Sequence, residues 1–302
     1  VNPIDQMQTF VRVVEAGSIS KAAEQLDTAK SAVSRKLSEL EQRLNVTLLK
    51  RTTRRQTLTE AGERYYQQCL RLLDDIAEIE AQISDAEAAL SGRIRISAPL
   101  TFGLQHLSPV LHAFRQQYPG IQLDIDFNDR RVDLIEDGFD LAVRIGRLPD
   151  SSLIARRLST TRVLLCGSPD YFAQHGLPRI PTDLLNGHQR LQYRTAAEQW
   201  HFKDHNEETQ HIDLPVLMVA NNGNFLCDAA ICGQGLIMMP DFICYQAIRD
   251  GRLISILEDF MPDRELGIYA VYPGTRHLSE RVRVMIEFLS EYFSGESPWS
   301  LS

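Results

Sequence analysis

The stretch "GSISKAAEQLDTAKSAVSRKLSELEQRL", Gly17–Leu44, carries two short helical periods with a break between them. Ile19, Ala22, Ala23 and Leu26 make one apolar face, and Val33, Leu37, Leu40 and Leu44 make the next. Asp27-Thr28-Ala29 is the break, and Ser18 is placed to cap the first of the two helices. An earlier helix is marked by Ile4, Met7, Phe10, Val11 and Val14 and ends at Ala16-Gly17. Opposite the stripe of the last helix lie Ser31, Arg35, Ser38 and Gln42. Such a face is either merely solvated or suited to a DNA major groove, where Arg bonds guanine bidentately and small residues allow close approach.

The following residues favour the groove. "LLKRTTRRQTLT", Leu48–Thr59, reads as a short hairpin carrying Lys50, Arg51, Arg54 and Arg55 among Thr and Leu. Lys30 to Arg55 hold eight Lys or Arg against Glu39 and Glu41, in a chain of net charge -8. The acidic total therefore does not exclude a polyanion as partner. A helix-turn-helix with a basic wing would seat both elements on one phosphate backbone. The contact set predicted here is Ser18, Lys30, Ser31, Ala32, Ser34, Arg35 and Ser38 on the helices, with Arg51, Thr52, Thr53, Arg54 and Arg55 in the wing.

The order "F..V.E.GS...AAE.L..A.SAVSR....LE..L...LL.RTTR...LTEAG", from about Asp5 to Gly62, resembles the amino-terminal domain of LysR-type transcriptional regulators. The chain departs from the family's pattern at Ala29, where a polar cap is usual, so Asp27 or Thr28 is expected to cap in its place.

A long helix is expected from a Thr59 cap to about Leu90. Tyr65, Cys69, Leu72, Ile76, Ile79, Ile83, Ala86 and Leu90 alternate steps of four and three, with most acids off the seam, which predicts a dimerising coiled coil. A dimer would require a roughly palindromic site. From Arg93 strands and helices alternate: "RIRIS", "IQLDIDF", "FDLAVRIG", "TRVLLCGS", "LPVLMVA", "GLIMMP" and "LGIYAVYP" read as strands of a largely parallel α/β sheet. "DRRVDLIEDGFDLAVRIG", "SLIARRL" and "AAICGQGLIMMP" resemble the family's effector domain, which implies the bilobed architecture of type 2 periplasmic binding proteins. The expected organisation is a winged helix-turn-helix over 1–58, a linker helix over 59–91 and an effector domain over 92–302. Lobe I would take 92–162 and 268–302, and lobe II 163–267, with crossings near Thr161-Arg162 and Glu265-Gly267.

Ligands of such sheets bind beyond the strand ends. That predicts an effector site at Pro99, Leu100, Thr101 and Phe102 in "SAPLTFG", Arg144 and Gly146 in "AVRIG", and Asn221, Asn222 and Asn224 in "VANNGNF". Trp200 and Phe202 are expected as an apolar wall, although a core role would explain Trp200 equally, and capping would explain Thr101 and one of the asparagines. The effector class suggested is a small organic or aromatic acid.

Other chemistries are weaker. No G-x-S-x-G elbow or P-loop lysine motif is present, and "GQG" at Gly233–Gly235 lacks a dinucleotide fingerprint's third glycine, so no catalytic residue, cofactor or metal is assigned. "HFKDHNEETQH" reads as a polar hairpin tip rather than a metal site. Five scattered cysteines argue against a disulfide framework, and no apolar run is long enough to cross a membrane, so a cytoplasmic location is expected. The functional expectation is a DNA-binding regulator, dimeric or tetrameric, tuned by a small molecule and contacting RNA polymerase. The alternative is a redox-switched regulator using Cys227 and Cys232.

Overall fold

The computed structural model describes residues 2–51, 56–84, 90–130, 132–148, 151–196, 199–203, 208–261, 264–274 and 278–301. Three helices, α1 (Pro3–Ala16), α2 (Ile19–Gln25) and α3 (Lys30–Leu44), precede a hairpin of β1 (Leu49–Arg51) and β2 (Gln56–Leu58). Asn2 caps α1 and Ser18 caps α2, its Oγ accepting the Lys21 amide at 3.2 Å. No side chain caps α3: Ala29 holds the cap position and neither Asp27 nor Thr28 replaces it. The apolar stripes meet in one core, where Phe10, Val13, Ala22, Val33 and Leu40 are fully buried. Glu41 fixes the wing by accepting the Leu48 and Leu49 amides at 2.8 and 3.1 Å.

Helix α4 (Glu60–Ser84) starts from a Thr59 cap, whose Oγ1 accepts the Gly62 amide at 2.9 Å. Gly62 is demanded by close approach, since a Cβ there would stand 2.0 Å from the Leu48 carbonyl oxygen. The first part of the expected dimer seam is used inside the domain. Tyr65 and Tyr66 pack on Phe10 with ring centroids 5.5 and 6.4 Å away, and Cys69 is fully buried in the same core. Leu72 and Ile79, one heptad apart, stay 47% and 57% exposed.

The remainder forms two lobes around one continuous sheet. Lobe I begins with β3 (Gly92–Ala98), α5 (Leu100–Phe102), a π-helical turn Gly103–Leu107, α6 (Ser108–Gln117), β4 (Ile121–Phe127) and β5 (Leu141–Gly146). The long strand β6 (Leu153–Gly167) leads into lobe II, made of α7 (Pro169–His175), β7 (Arg190–Tyr193), β8 (Trp200–Lys203), β9 (Thr209–Ile212), β10 (Val216–Ala220), α8 (Gly223–Ile231), β11 (Leu236–Pro240), α9 (Asp241–Arg249) and β12 (Ile254–Ile256). Strand β13 (Glu265–Pro273) returns to lobe I, which α10 (Glu280–Tyr292) completes.

The strand order is β10-β7-β11-β6-β13-β5-β3-β4, with β12 on β6. β6 pairs with β13 up to Arg162 and with β11 from Val163, so one strand changes lobes between adjacent residues. The sheet is less parallel than its alternating pattern suggests. β3, β4 and β5 are mutually parallel, as are β7, β10 and β11, but β6, β12 and β13 run antiparallel to their neighbours. The two connections between lobes are themselves strands, and these impose the antiparallel pairs. The carboxyl ends of β3, β4, β7 and β10 therefore face one interlobe cleft.

Candidate DNA interface and effector cleft

The buried stripe of α3 fixes what its other side presents. Val33, Leu37 and Leu40 point into the core, leaving Lys30, Ser31, Arg35 and Ser38 exposed and Ala32 and Ser34 half-buried beside them. Arg35 is 75% exposed and, among the described residues, pairs with Glu39 at 3.7 Å, a surface pair worth about 0.3–0.5 kcal/mol. Not every basic residue of this region belongs to that surface. Lys36 pairs with Asp5 of α1 at 2.8 Å, and the Arg43 Nε donates to Gln6 at 3.1 Å, so both cations staple α3 to α1. Lys50 is exposed on β1. Thr52, Thr53, Arg54 and Arg55 lie outside the described residues, as does the side chain of Arg51.

The interlobe cleft has a volume of about 390 Å³, in the range of small-molecule sites. Pro99, Thr101, Phe102, Asn128, Asp129, Arg130, Arg144, Ile145, Arg147 and Leu148 line it from lobe I. Tyr193, Thr195, Gly223, Met238, Met239, Phe242 and Ile243 face them. Phe102 forms its floor, edge-on to Phe242 at 5.4 Å and to Trp299 at 5.7 Å. The π-helical turn behind Phe102 is allowed by Gly103, where a Cβ would meet the Phe127 ring at 2.3 Å. His106 in that turn contacts the carbonyl of Phe242 at 3.1 Å, and burial pulls its pKa below the usual histidine value. Arg130, Arg144 and Arg147 line the same cavity as Asp129, the one acid among its described lining residues, and as the apolar Phe102, Ile145, Leu148, Met238 and Met239; Arg130 also pairs with Asp126 at 3.8 Å.

A third site joins the two halves of the chain. Arg281 of α10, only 2% exposed, reaches Asp75 of α4 at 2.9 Å and donates through Nε to the Arg93 carbonyl at 3.0 Å. Arg71 of α4 pairs with Asp140 at 3.2 Å, and the Gln68 side-chain amide donates to the Ile135 carbonyl at 2.9 Å. Burial pushes the Asp140 carboxyl up, opposed by the Arg95 amide and by Arg71 and Arg281.

Residues 4–63 match the lysR family of bacterial regulatory helix-turn-helix proteins, and residues 87–294 match the LysR substrate binding domain. The chain belongs to the LysR-type transcriptional regulators. A Haemophilus influenzae HTH-type transcriptional regulator is 36% identical, covering 93% of this chain and 98% of its own. The Escherichia coli HTH-type transcriptional regulator DmlR is 34% identical over 98% of this chain and 96% of its own. Among solved structures, that of the LysR-type regulator CrgA from Neisseria meningitidis is 34% identical, with a TM-score of 0.61 over 98% of this chain and all of the other. A full-length AphB variant aligns with a TM-score of 0.63 at 32% identity over 96% of this chain and 99% of its own.

In this LysR-type regulator the cleft gathers only part of the set predicted for it. Pro99, Thr101, Phe102 and Arg144 line it. Trp200 and Phe202 do not: they are buried in the lobe II core under the β8–β9 hairpin, with Tyr171, Leu184 and Ile212. Asn222 caps α8 by accepting the Phe225 amide at 2.9 Å. Asn224 accepts from Gln105 of lobe I at 3.1 Å, and the Asn221 carbonyl accepts the Tyr193 hydroxyl at 3.1 Å. Leu100 gives its amide to Asp129 at 3.1 Å and stays outside the lining, and Gly146, at φ +135, ends β5 opposite Gly267 and is not among the lining residues. Asp129, Arg130, Arg147, Tyr193 and Met238 were not anticipated. "FNDRR" directly after β4 was the available signal, being a polar strand end equivalent to "APLTF" after β3.

The cysteines of the regulator are free. Cys227 is buried and its thiol is pushed up to about 12, first by desolvation, which suppresses the reactive thiolate. Cys232 is exposed at the end of α8.

Proposed function

We infer that this regulator binds DNA sequence-specifically as a two-fold assembly and that a small organic acid in the interlobe cleft changes its output without any covalent step. Support for DNA recognition comes from α3, which turns an uncapped amino-terminal end and the Lys30, Ser31, Arg35, Ser38 face away from its core. Support for an acid comes from the three cleft arginines beside an apolar wall of Phe102, Ile145, Leu148, Met238 and Met239. A ligand there can act only through unequal affinity for two arrangements of the lobes. That single observation, cations and apolar surface converging at the carboxyl ends of strands from both lobes, carries the effector reading.

Self-association is assigned to α4, through Leu72 and Ile79. A tetramer would use the sheet edges in addition: β10 leaves Val216, Leu217 and Val219 exposed, and a groove between α6 and β4 lies at the other end of the sheet. The redox alternative is not favoured, because Cys227 is buried with a raised pKa. The deciding experiment selects fragments of the source genome on the purified chain at moderate ionic strength. Enriched fragments should share inverted half-sites, and their neighbouring genes should narrow the acid. No preference over random competitor would overturn the reading.

A further inference from the structure

The rim of the cleft is closed by contacts from one lobe to the other. Asp129 lies just beyond β4 in lobe I and Tyr193 ends β7 in lobe II, 64 residues apart in sequence. The Tyr193 hydroxyl donates to Asp129 Oδ2 at 2.7 Å, a length typical of a charge-assisted bond. The other carboxylate oxygen, Oδ1, accepts the Leu100 amide at 3.1 Å, which ties Asp129 to the start of the helical segment carrying the cleft floor. The Asn221 carbonyl, 3.1 Å from the same tyrosine oxygen, is the alternative acceptor for its one proton inside lobe II, at the longer distance. The shorter bond therefore runs between lobes, from Tyr193 on one to Asp129 on the other. A second bridge, Gln105 to Asn224 at 3.1 Å, is neutral and exposed.

We propose that the Asp129–Tyr193 hydrogen bond is a latch that holds the two lobes together across the effector cleft. Desolvation and the neighbouring Asp129 push the Tyr193 phenol up, so the hydroxyl keeps its proton and remains a donor at any physiological pH. Asp129 is also the one acid in the described lining. An incoming carboxylate held by Arg130, Arg144 and Arg147 meets like charge at Asp129 and competes for the same two donors, the Tyr193 hydroxyl and the Leu100 amide. Acid binding and an intact latch thus oppose each other. Asp129 and Tyr193 act as positioning residues: they set the lobe spacing that an effector must work against. The proposal rests on the effector reading of the cleft but is read out without an effector.

The test uses the full chain with Cys232→Ser and nitroxide labels on cysteines placed at exposed Gln116 of α6 and Gln174 of α7, diluted with unlabelled chain. Dipolar spectroscopy then gives the interlobe distance distribution. Tyr193→Phe and Asp129→Ala should each broaden it and lengthen its mean, and combining them should add little. Asp129→Glu should recover a narrower distribution than Asp129→Ala, and Gln105→Ala should change it least. An unaltered distribution in both Tyr193→Phe and Asp129→Ala overturns the latch, and so does a loss of melting temperature without a change in distance. DNA retention on the same samples separates the outcomes: a wild-type chain that binds no operator indicts the regulator reading, whereas unchanged distances with normal operator binding indict the latch alone.

Discussion

Arg35 stands on the outer side of α3 and, among the described residues, pairs with Glu39 at 3.7 Å, so its guanidinium can leave that weak pair for a base edge at little cost. Replacing Arg35 by Ala should weaken operator binding by about 1–3 kcal/mol and relax the choice of base at one position, measured by titration against a set of single-base variants. Lys50→Ala should instead weaken all sequences alike and lower the slope of log affinity against log salt by about one. Equal loss of discrimination in both variants would assign the wrong roles. At this scale the sequence was a partial guide. The apolar spacing of Val33, Leu37 and Leu40 told which side of α3 faces out, but not that Lys36 and Arg43 turn back to Asp5 and Gln6, because those partners lie in another helix. Ser18 was legible as a cap, being directly before its helix. Asp129 was not, since its partners Leu100 and Tyr193 meet it only when the strands assemble.

Helix α4 serves two neighbours, which its periodicity could not apportion. Tyr65 and Cys69 share the seam's spacing with Leu72 and Ile79, yet Cys69 is buried and Tyr65 half-buried against the domain core, whereas Leu72 and Ile79 are exposed. Leu72→Asp combined with Ile79→Asp should leave the fold intact and produce monomers in sedimentation; a persisting dimer would show that other surfaces suffice. On its other side α4 is tied to lobe I by Asp75 and Arg281. Asp75→Asn should lower stability by about 1.5–3 kcal/mol in urea titrations, the range for a bond to a charged group. The π-helical turn adds a pH-dependent element. Burial lowers the His106 pKa, so the unfolded chain takes up a proton near pH 6.5 while the folded chain resists it. The stabilisation from neutral His106 is complete above that pH and is lost as pH falls from 6.5 towards the lowered folded value. His106→Gln, which can still donate to the Phe242 carbonyl, should flatten the fall in melting temperature over that window. Comparing it with wild type isolates His106 from Asp140 and Asp241, whose buried carboxyls are pushed the other way.

For the assembled protein, a two-fold pair of α3 helices requires inverted half-sites with centres separated by a whole number of helical turns, about 10–10.5 bp each. Footprinting on selected fragments should show protections at that period, and inserting about half a turn between half-sites should abolish high-affinity binding. The strand–helix alternation made the two-lobed α/β class readable. It missed the amino-terminal half of β6, because the exposed Ala155-Arg156-Arg157 run interrupts the apolar alternation that marks a strand. The joint between α4 and the effector domain could not be read at all, since Asp75 and Arg281 are 206 residues apart. That joint gives the molecule a stator and a rotor. Among the described residues, the bonds that Gln68, Arg71 and Asp75 make to the effector domain land on lobe I and tie it to the helix that carries the DNA-reading head. A ligand that repositioned the lobes would therefore displace lobe II relative to the operator, and whatever lobe II touched in a neighbouring subunit would feel the signal.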